Sequence, residues 1–246
     1  MTNLICHRGA SKYAPQNTIP AFLKAVELKA DGVEFDVHLT KDKELVVCHD
    51  YNIKETSNGR GRIKDYTLKE LKQFDFGINF SPEFKNTQIP TLKEVLDIVK
   101  DFKIINIELK SQDELNEELA KRVINEVKLY SFTGDVVFSS FDLELVKTIK
   151  SADNTLKVGA LFSPSDFSRE SKINKSIDFV KQNNFQTIHP HMRNIKKNHV
   201  NKCHENGVMV NVWGANSYDG IKRMLDIGCD SIITDEIALA MQICGR

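Results

Sequence analysis

The chain has 246 residues, a length that fits one large domain. Its 34 Lys and Arg residues balance its 34 Asp and Glu residues, so the formal net charge is zero. That balance leaves no electrostatic footprint for nucleic acid or for an anionic membrane surface. No apolar run approaches the roughly 20 residues that are needed to span a bilayer. We therefore expect no nucleic-acid partner and no transmembrane segment.

The five cysteines are odd in number, and none of them forms a C-x-x-C pair. This pattern argues against a zinc ribbon or a disulfide framework and favours free thiols in a reducing compartment. The first residues lack the basic segment and apolar stretch of a secretory signal. We expect a cytoplasmic location, and the sequence leaves the oligomeric state open.

Short β-branched runs alternate with helical patterns along the whole chain. The predicted strands are residues 4–7, 33–39, 44–48, 103–109, 135–140, 157–162, 187–190, 208–213 and 231–234. The predicted helices are residues 18–29, 91–100, 115–129, 143–150, 177–182, 195–205, 218–227 and 237–243. This alternation indicates right-handed βαβ units and a parallel sheet, and about eight such units close a barrel.

We therefore predict a (β/α)8 TIM barrel that forms a single domain over residues 1–246. The alternative is an open doubly wound sheet, but no glycine-rich phosphate loop follows the first strand. Residues 50–90 break the alternation because they are too many for a βα loop. We predict that this segment, which follows the second βα strand, is an insertion over the C-terminal mouth of the barrel.

Ionisable residues cluster where the predicted strands end, which is where barrels of this class place their reacting groups. Residues i and i+2 of a strand share a face, so Glu34 and Asp36 point the same way, as do Glu108 and Lys110. By themselves these pairs are compatible with a solvated face or a surface ion pair. If they face the interior, three carboxylates converge, and a divalent cation is the simplest compensation. Oxygen ligands without a thiolate favour Ca²⁺ or Mg²⁺.

Three further residues carry open alternatives. His189 and His191 share a strand face, but no carboxylate accompanies them, so they have either a structural or a substrate-lining role. Trp213 is the only tryptophan and ends the seventh barrel strand. It either fills the rim of the barrel or stacks on a substrate, and we keep it as a candidate substrate contact.

A series of motifs in fixed order resembles the glycerophosphodiester phosphodiesterase family. The motifs are His7-Arg8-Gly9, Pro15-Gln16-Asn17-Thr18, Gly32-Val33-Glu34-Phe35-Asp36-Val37, Thr40-Lys41-Asp42, residues 46–50, Ile107-Glu108-Leu109-Lys110, Val212-Trp213 and Thr234-Asp235. The resemblance covers nearly the whole chain. It implies a barrel enzyme that uses a metal to hydrolyse glycerophosphodiesters to glycerol 3-phosphate and an alcohol. One departure is Gln16, where the family usually has Glu.

The resemblance also implies a role for each site residue. The implied general acid–base pair is His7 and His49. The implied phosphate contacts are Arg8 and Lys110. The implied metal ligands are Glu34, Asp36 and Glu108, the same three carboxylates that strand geometry brings together.

The family resembles barrel phospholipases that use an internal hydroxyl. On that resemblance we hypothesise that the glycerol 2-hydroxyl of the substrate attacks phosphorus and gives a cyclic phosphate that water then opens. A tethered hydroxyl gains up to roughly 7–11 kcal/mol from proximity. No Ser or Cys nucleophile is then required, and the chain has no G-x-S-x-G elbow. Two alternatives stay open. The first is a phospholipase-like enzyme that acts on a lysophospholipid or another head group. The second is a weakly active relic that binds glycerol phosphates, which the replacement of the usual Glu by Gln16 suggests.

Overall fold

The structure is a computed structural model that describes residues 1–246. Its strands are β1 (Asn3–His7), β2 (Gly32–Leu39), β3 (Leu45–Val47), β4 (Ile104–Leu109), β5 (Asp135–Ser140), β6 (Lys157–Phe162), β7 (Thr187–Pro190), β8 (Met209–Trp213) and β9 (Ser231–Thr234). All of them except β3 pair in parallel, and β1 pairs with both β2 and β9. The sheet therefore closes, and the predicted TIM barrel is confirmed.

The helices lie between consecutive barrel strands and after the last one. They are α1 (Ile19–Glu27), α2 (Leu68–Leu71), α3 (Leu92–Val99), α4 (Asn116–Val127), α5 (Leu143–Ala152), α6 (Glu170–Gln182), α7 (Lys197–Glu205), α8 (Tyr218–Asp226) and α9 (Ile237–Ile243). None of them is long and apolar enough to cross a membrane. Helix α6 begins seven residues before the predicted position 177, because its first two turns bury only Ile173 and Ser176 and so show little periodicity.

Strand β3 is the main departure from a regular barrel. It runs antiparallel to β2, with Val47 opposite Val37, and lies outside the closed ring. The chain reverses between the two strands at Lys43, whose φ is 66°. Because β3 runs back along β2, the Cys48 amide donates to the Asp36 carbonyl at 3.0 Å. The reversal brings the residue that follows, His49, to the level of Asp36.

The alternation of side chains along β2 divides the barrel interior from the outer core. Phe35 is fully buried on the outer face, where its ring meets Phe22 of α1 edge-on at 5.6 Å. The flanking Glu34 and Asp36 therefore project into the barrel. All eight residues of β2 are buried.

Residues 50–90 form a small hydrophobic cluster of their own against β3. This segment contains α2 and three 3-10 turns at Ile53–Glu55, Ile63–Asp65 and Pro82–Phe84. The buried members of the cluster are Val46, Cys48, Ile53, Ile63, Leu71, Phe76 and Ile89. Two of them flank or belong to β3, so the segment is anchored to the strand that precedes it.

His189 fills the barrel interior beside Gly159 of the neighbouring strand. It is fully buried, and burial lowers its pKa to about 3. Its Nε2 lies 2.7 Å from Thr187 Oγ1 and 3.2 Å from Asn211 Nδ2. A Cβ at Gly159 would meet that same nitrogen at 2.4 Å. These contacts give His189 a packing role, and glycine at position 159 makes room for the imidazole.

We expect Gly159→Ala to lower the free energy of unfolding by about 1–3 kcal/mol, because the new methyl group overpacks the barrel interior. Urea unfolding of the variant measures this. The same substitution in a His189→Ala background should cost less, since the imidazole is gone and only Thr187 Oγ1 stays within 2.4 Å of the new methyl group. Equal costs in the two backgrounds would show that the clash does not limit packing at this position.

Candidate active site

The turn after β1 attaches the first loop to the interior of the barrel. Arg8 and Gly9 both adopt the left-handed conformation, with φ of 58° and 74°. A Cβ at Gly9 would lie 2.8 Å from the Cβ of Ala21, so only glycine fits there. The turn directs the backbone N–H of Arg8 to Glu34 Oε2 at 2.9 Å. The His7-Arg8-Gly9 motif is thus held in place by one of the predicted metal ligands.

Glu34, Asp36 and Glu108 meet inside the barrel, so the face that the first two share is the interior one. One carboxylate oxygen from each lies within 4.8 Å of the other two, and all three residues are buried. Asp36 and Glu108 are direct partners in the register of β2 and β4, which places their side chains next to each other. These three residues are called the acidic cluster below.

Burial and crowding set the pKa values of the acidic cluster. Burial raises the pKa of Glu34 well above its ordinary value, and the charges of Asp36 and Glu108 add to this. Burial also raises the pKa of Glu108. Burial acts in the same direction on Asp36, but the nearby charges of Lys110, His49 and Arg8 outweigh it and lower its pKa. Ionisation of all three carboxylates together is therefore unfavourable unless further positive charge is brought to them.

Lys110 partly compensates the acidic cluster. Its Nζ lies 2.6 Å from Glu108 Oε1 and 2.9 Å from Asp36 Oδ1. Burial would lower the pKa of this ammonium, but the charges of Asp36 and Glu108 raise it instead. Lys110, predicted as a phosphate contact, is directed at the carboxylates in this structure.

The donor set of the cluster fits a divalent cation. Asn17 Nδ2 donates to Asp36 Oδ2 at 2.8 Å, and the buried Asp36 Oδ1 contacts the Lys110 ammonium at 2.9 Å. Three buried carboxylates within 4.8 Å of one another carry more negative charge than the single ammonium of Lys110 balances. An oxygen-only set of this kind suits a hard ion such as Ca²⁺ or Mg²⁺.

Both predicted catalytic histidines are held by carboxylates. His7 Nδ1 lies 2.6 Å from Asp235 Oδ1, and His49 Nδ1 lies 2.9 Å from Asp50 Oδ1. In each ring the Nδ1 is occupied, so Nε2 is the nitrogen that remains for substrate. Burial lowers the pKa of His7, and the hydrogen bond to Asp235 opposes that shift. Two imidazoles that each present Nε2 in this way are suited to proton transfer.

A cavity of about 230 Å³ opens beside the acidic cluster and is called the main pocket below. Its polar wall consists of His7, Arg8, Glu34, His49, Asn106 and Glu108. Its apolar wall consists of Phe141, Leu161, Trp213 and Ile233. The cavity thus joins most of the predicted site residues, while Asp36 and Lys110 lie behind the polar wall.

Trp213 takes part in both the rim and the pocket wall. Its indole N–H donates to the His189 carbonyl at 3.2 Å, and its ring packs edge-on against Phe141 and His191 with centroids 5.7 and 4.5 Å away. These contacts hold the indole against the main pocket. Contact of Trp213 with a substrate stays a prediction.

Two supporting residues were not assigned a role from the sequence. Asp235 holds His7, and Asn17 holds Asp36. Asp235 follows the last barrel strand, so the same strand-end criterion that selected the other residues would have found it.

Gln16 Oε1 accepts a hydrogen bond from Arg8 Nη1 at 2.6 Å. Glutamine therefore supplies a neutral acceptor for Arg8 where the related family has a carboxylate.

The fold and the position of these side chains place the chain among the (β/α)8 barrel enzymes whose sites lie at the C-terminal ends of the strands. The sequence profile of the glycerophosphoryl diester phosphodiesterase family matches residues 7–239. The chain belongs to this family and is a phosphodiesterase.

The chain is also similar to individual proteins. A glycerophosphodiester phosphodiesterase of Caldanaerobacter subterraneus subsp. tengcongensis is 39% identical over 237 residues, which are 96% of this chain and 94% of that protein. A phosphodiesterase structure from Oleispira antarctica, in complex with the product sn-glycerol-3-phosphate, superposes with a TM-score of 0.91 at 24% identity and covers 100% and 98% of the two chains. A glycerophosphodiester phosphodiesterase structure from Thermotoga maritima gives 0.79 at 29% identity and covers 100% and 99%.

We expect Lys110→Met to lower the free energy of unfolding of the metal-free protein by about 3–5 kcal/mol. The reason is that the substitution leaves two buried carboxylates without the ammonium group that pairs with them. Urea unfolding in the presence of a chelator measures this cost. The matched control is Lys157→Met, which breaks an ion pair with Asp135 at the surface and should cost far less. Equal costs for the two variants would show that Lys110 does not compensate the cluster.

Proposed function

We propose that the protein hydrolyses glycerophosphodiesters to glycerol 3-phosphate and an alcohol with the help of one divalent cation, Ca²⁺ or Mg²⁺. The observation that carries this proposal is the meeting of the acidic cluster, Arg8 and two carboxylate-paired histidines around one cavity. The relative at 39% identity, whose name states this activity, supports it. The ligands of the cation would be Glu34, Asp36 and Glu108.

The substrate phosphate is anionic and needs positive charge around it. Arg8 reaches the main pocket, and its guanidinium is oriented by Gln16 on one side and by Asp36 on the other, with Arg8 Nε 3.8 Å from Asp36 Oδ2. A guanidinium can donate two parallel hydrogen bonds to phosphate oxygens. Lys110 is the second cation, and we propose that it acts on the phosphate as well. A bound divalent ion would supply further charge neutralisation and lower the pKa of a hydroxyl group that it contacts.

The substrate's own glycerol 2-hydroxyl is the nucleophile in our proposal. One histidine takes the hydroxyl proton as the O2–P bond forms, and the other gives a proton to the alcohol oxygen as its bond to phosphorus breaks. The product of this step is a five-membered cyclic phosphate and a free alcohol. Water then attacks phosphorus and gives a proton to the histidine that protonated the alcohol. The O2–P bond breaks as the other histidine returns its proton to O2, and glycerol 3-phosphate is released. Asp235 and Asp50 keep His7 and His49 in the orientation and tautomer that these transfers need.

We place the catalytic domain over residues 1–246, with residues 50–90 as an insertion at the mouth of the barrel. A cytoplasmic location is part of the same proposal. All five cysteines are free and four of them are buried, which is typical of a protein from a reducing compartment.

Chelation should abolish the release of alcohol from glycerophosphocholine, and one of Ca²⁺ or Mg²⁺ should restore it. The reason is that the acidic cluster needs a cation before phosphate can approach it. The measurement is the rate of choline release after exhaustive demetallation and separate addition of each ion. Full activity in the demetallated protein would contradict metal dependence.

His7→Ala and His49→Ala should each lower kcat by a factor of about 10²–10⁴, because each removes one proton-transfer group. The matched control for these variants is His204→Ala, which removes a carboxylate-paired histidine on the surface, with its Nε2 2.8 Å from Asp230.

A 2-deoxy analogue of the substrate should bind but turn over far more slowly, because it lacks the nucleophile. Cleavage of the analogue at the normal rate would show that water attacks directly.

A further inference from the structure

A second, smaller cavity shares no lining residue with the main pocket and has no part in the chemistry described so far. Its volume is about 140 Å³, and it lies between residues 50–90 and the loop after β4. We call it the side pocket. The lining residues that matter here are His38, Tyr51, Arg62, Lys64, Gln112 and Asp113.

His38 gives the side pocket an unsatisfied hydrogen-bond acceptor. The residue is fully buried, and its Nε2 lies 3.4 Å from the His49 carbonyl. Since a carbonyl only accepts, Nε2 carries the proton, and Nδ1 of the neutral ring is an acceptor. That Nδ1 is buried and has no partner. A buried acceptor without a partner is costly, so it points to a ligand that brings an O–H donor.

The charges of the side pocket are mainly positive. No carboxylate lies within 4.0 Å of Lys64 Nζ, and the nearest carboxylate oxygen to Arg62 Nε is that of Asp65, at 4.0 Å. Asp113 is the only acidic residue in the lining. The lining contains one tyrosine, Tyr51, and no phenylalanine or tryptophan. The ring of Tyr51 packs edge-on against His38, with the ring centroids 5.1 Å apart. Two cations and one such ring do not make the aromatic cage that a quaternary ammonium group needs.

The side pocket is attached to the reacting groups through short stretches of chain. Tyr51 is two residues after His49, and Gln112 is two residues after Lys110. Gln112 is buried and clamps the end of β2, because its side chain accepts from the Leu39 amide at 2.8 Å and donates to the Leu39 carbonyl at 3.0 Å. The pocket is therefore braced against the strand that carries Glu34 and Asp36.

We propose that the side pocket binds the alcohol part of the diester and selects a polyhydroxylated or anionic alcohol over a quaternary ammonium. This inference rests on the proposed function. An alcohol with free hydroxyl groups donates to His38 Nδ1, and its oxygens accept from Lys64 and Arg62. A trimethylammonium group offers no donor and is repelled by both cations.

The test compares kcat/KM for glycerophosphoglycerol and glycerophosphocholine, using the full-length protein with its activating ion. Wild type should prefer glycerophosphoglycerol, and Lys64→Glu should lower that preference by about tenfold, equivalent to about 1.4 kcal/mol. Arg62→Glu should act in the same direction. Lys54→Glu is the matched control because Lys54 is an exposed lysine of the same segment that does not line the side pocket.

The outcomes separate this inference from the proposed function. Equal use of both substrates, with a ratio that Lys64→Glu leaves unchanged, would overturn the role of the side pocket while the diesterase activity stands. A shift of the same size in Lys54→Glu would overturn it too, because the effect would then be long-range charge. Failure of wild type to hydrolyse either substrate with Ca²⁺ or Mg²⁺ would overturn the proposed function, and this inference with it.

Discussion

The burial of three carboxylates inside one barrel is the constraint on which the rest of the site depends. Glu34, Asp36 and Glu108 lie within 4.8 Å of one another, and such crowding is costly unless positive charge is brought to it. Lys110 meets part of that need by pairing with Asp36 and Glu108. A divalent cation would meet the remainder, and a substrate phosphate would then find a positive centre. In our proposal, the binding of metal and the binding of substrate both follow from one electrostatic imbalance.

The surrounding loops hold this centre in a fixed geometry. The left-handed turn at Arg8 and Gly9 attaches the first loop to Glu34, and Asn17 attaches the same loop to Asp36. Carboxylates outside the cluster hold the imidazoles of His7 and His49. Each group that we propose to react thus has a partner that fixes its orientation, which is what catalysis by positioned acids and bases requires.

The antiparallel β3 explains how His49, which belongs to no barrel strand, reaches the main pocket. A regular βα loop would carry the chain after β2 away toward a helix. The reversal at Lys43 instead returns it along β2, so that Cys48 bonds to Asp36 and His49 enters the main pocket. The same return makes the edge on which residues 50–90 build their own hydrophobic cluster, and that cluster in turn supports one side of the side pocket.

The sequence by itself determined the barrel and most of its site, because both depend on local periodicity and position along the chain. The alternation of strands and helices predicted about eight βα units in a parallel sheet. The i, i+2 spacing predicted that Glu34 and Asp36 share one face, which would meet Glu108 if that face is the barrel interior. Only the tertiary structure decided what depends on contacts between distant residues. These are the antiparallel direction of β3, the pairing of His7 with Asp235 across 228 positions, the position of Lys110 on the carboxylates, and the side pocket between two separate loops. Periodicity carries no information on such contacts, since they arise only when the ring of strands closes.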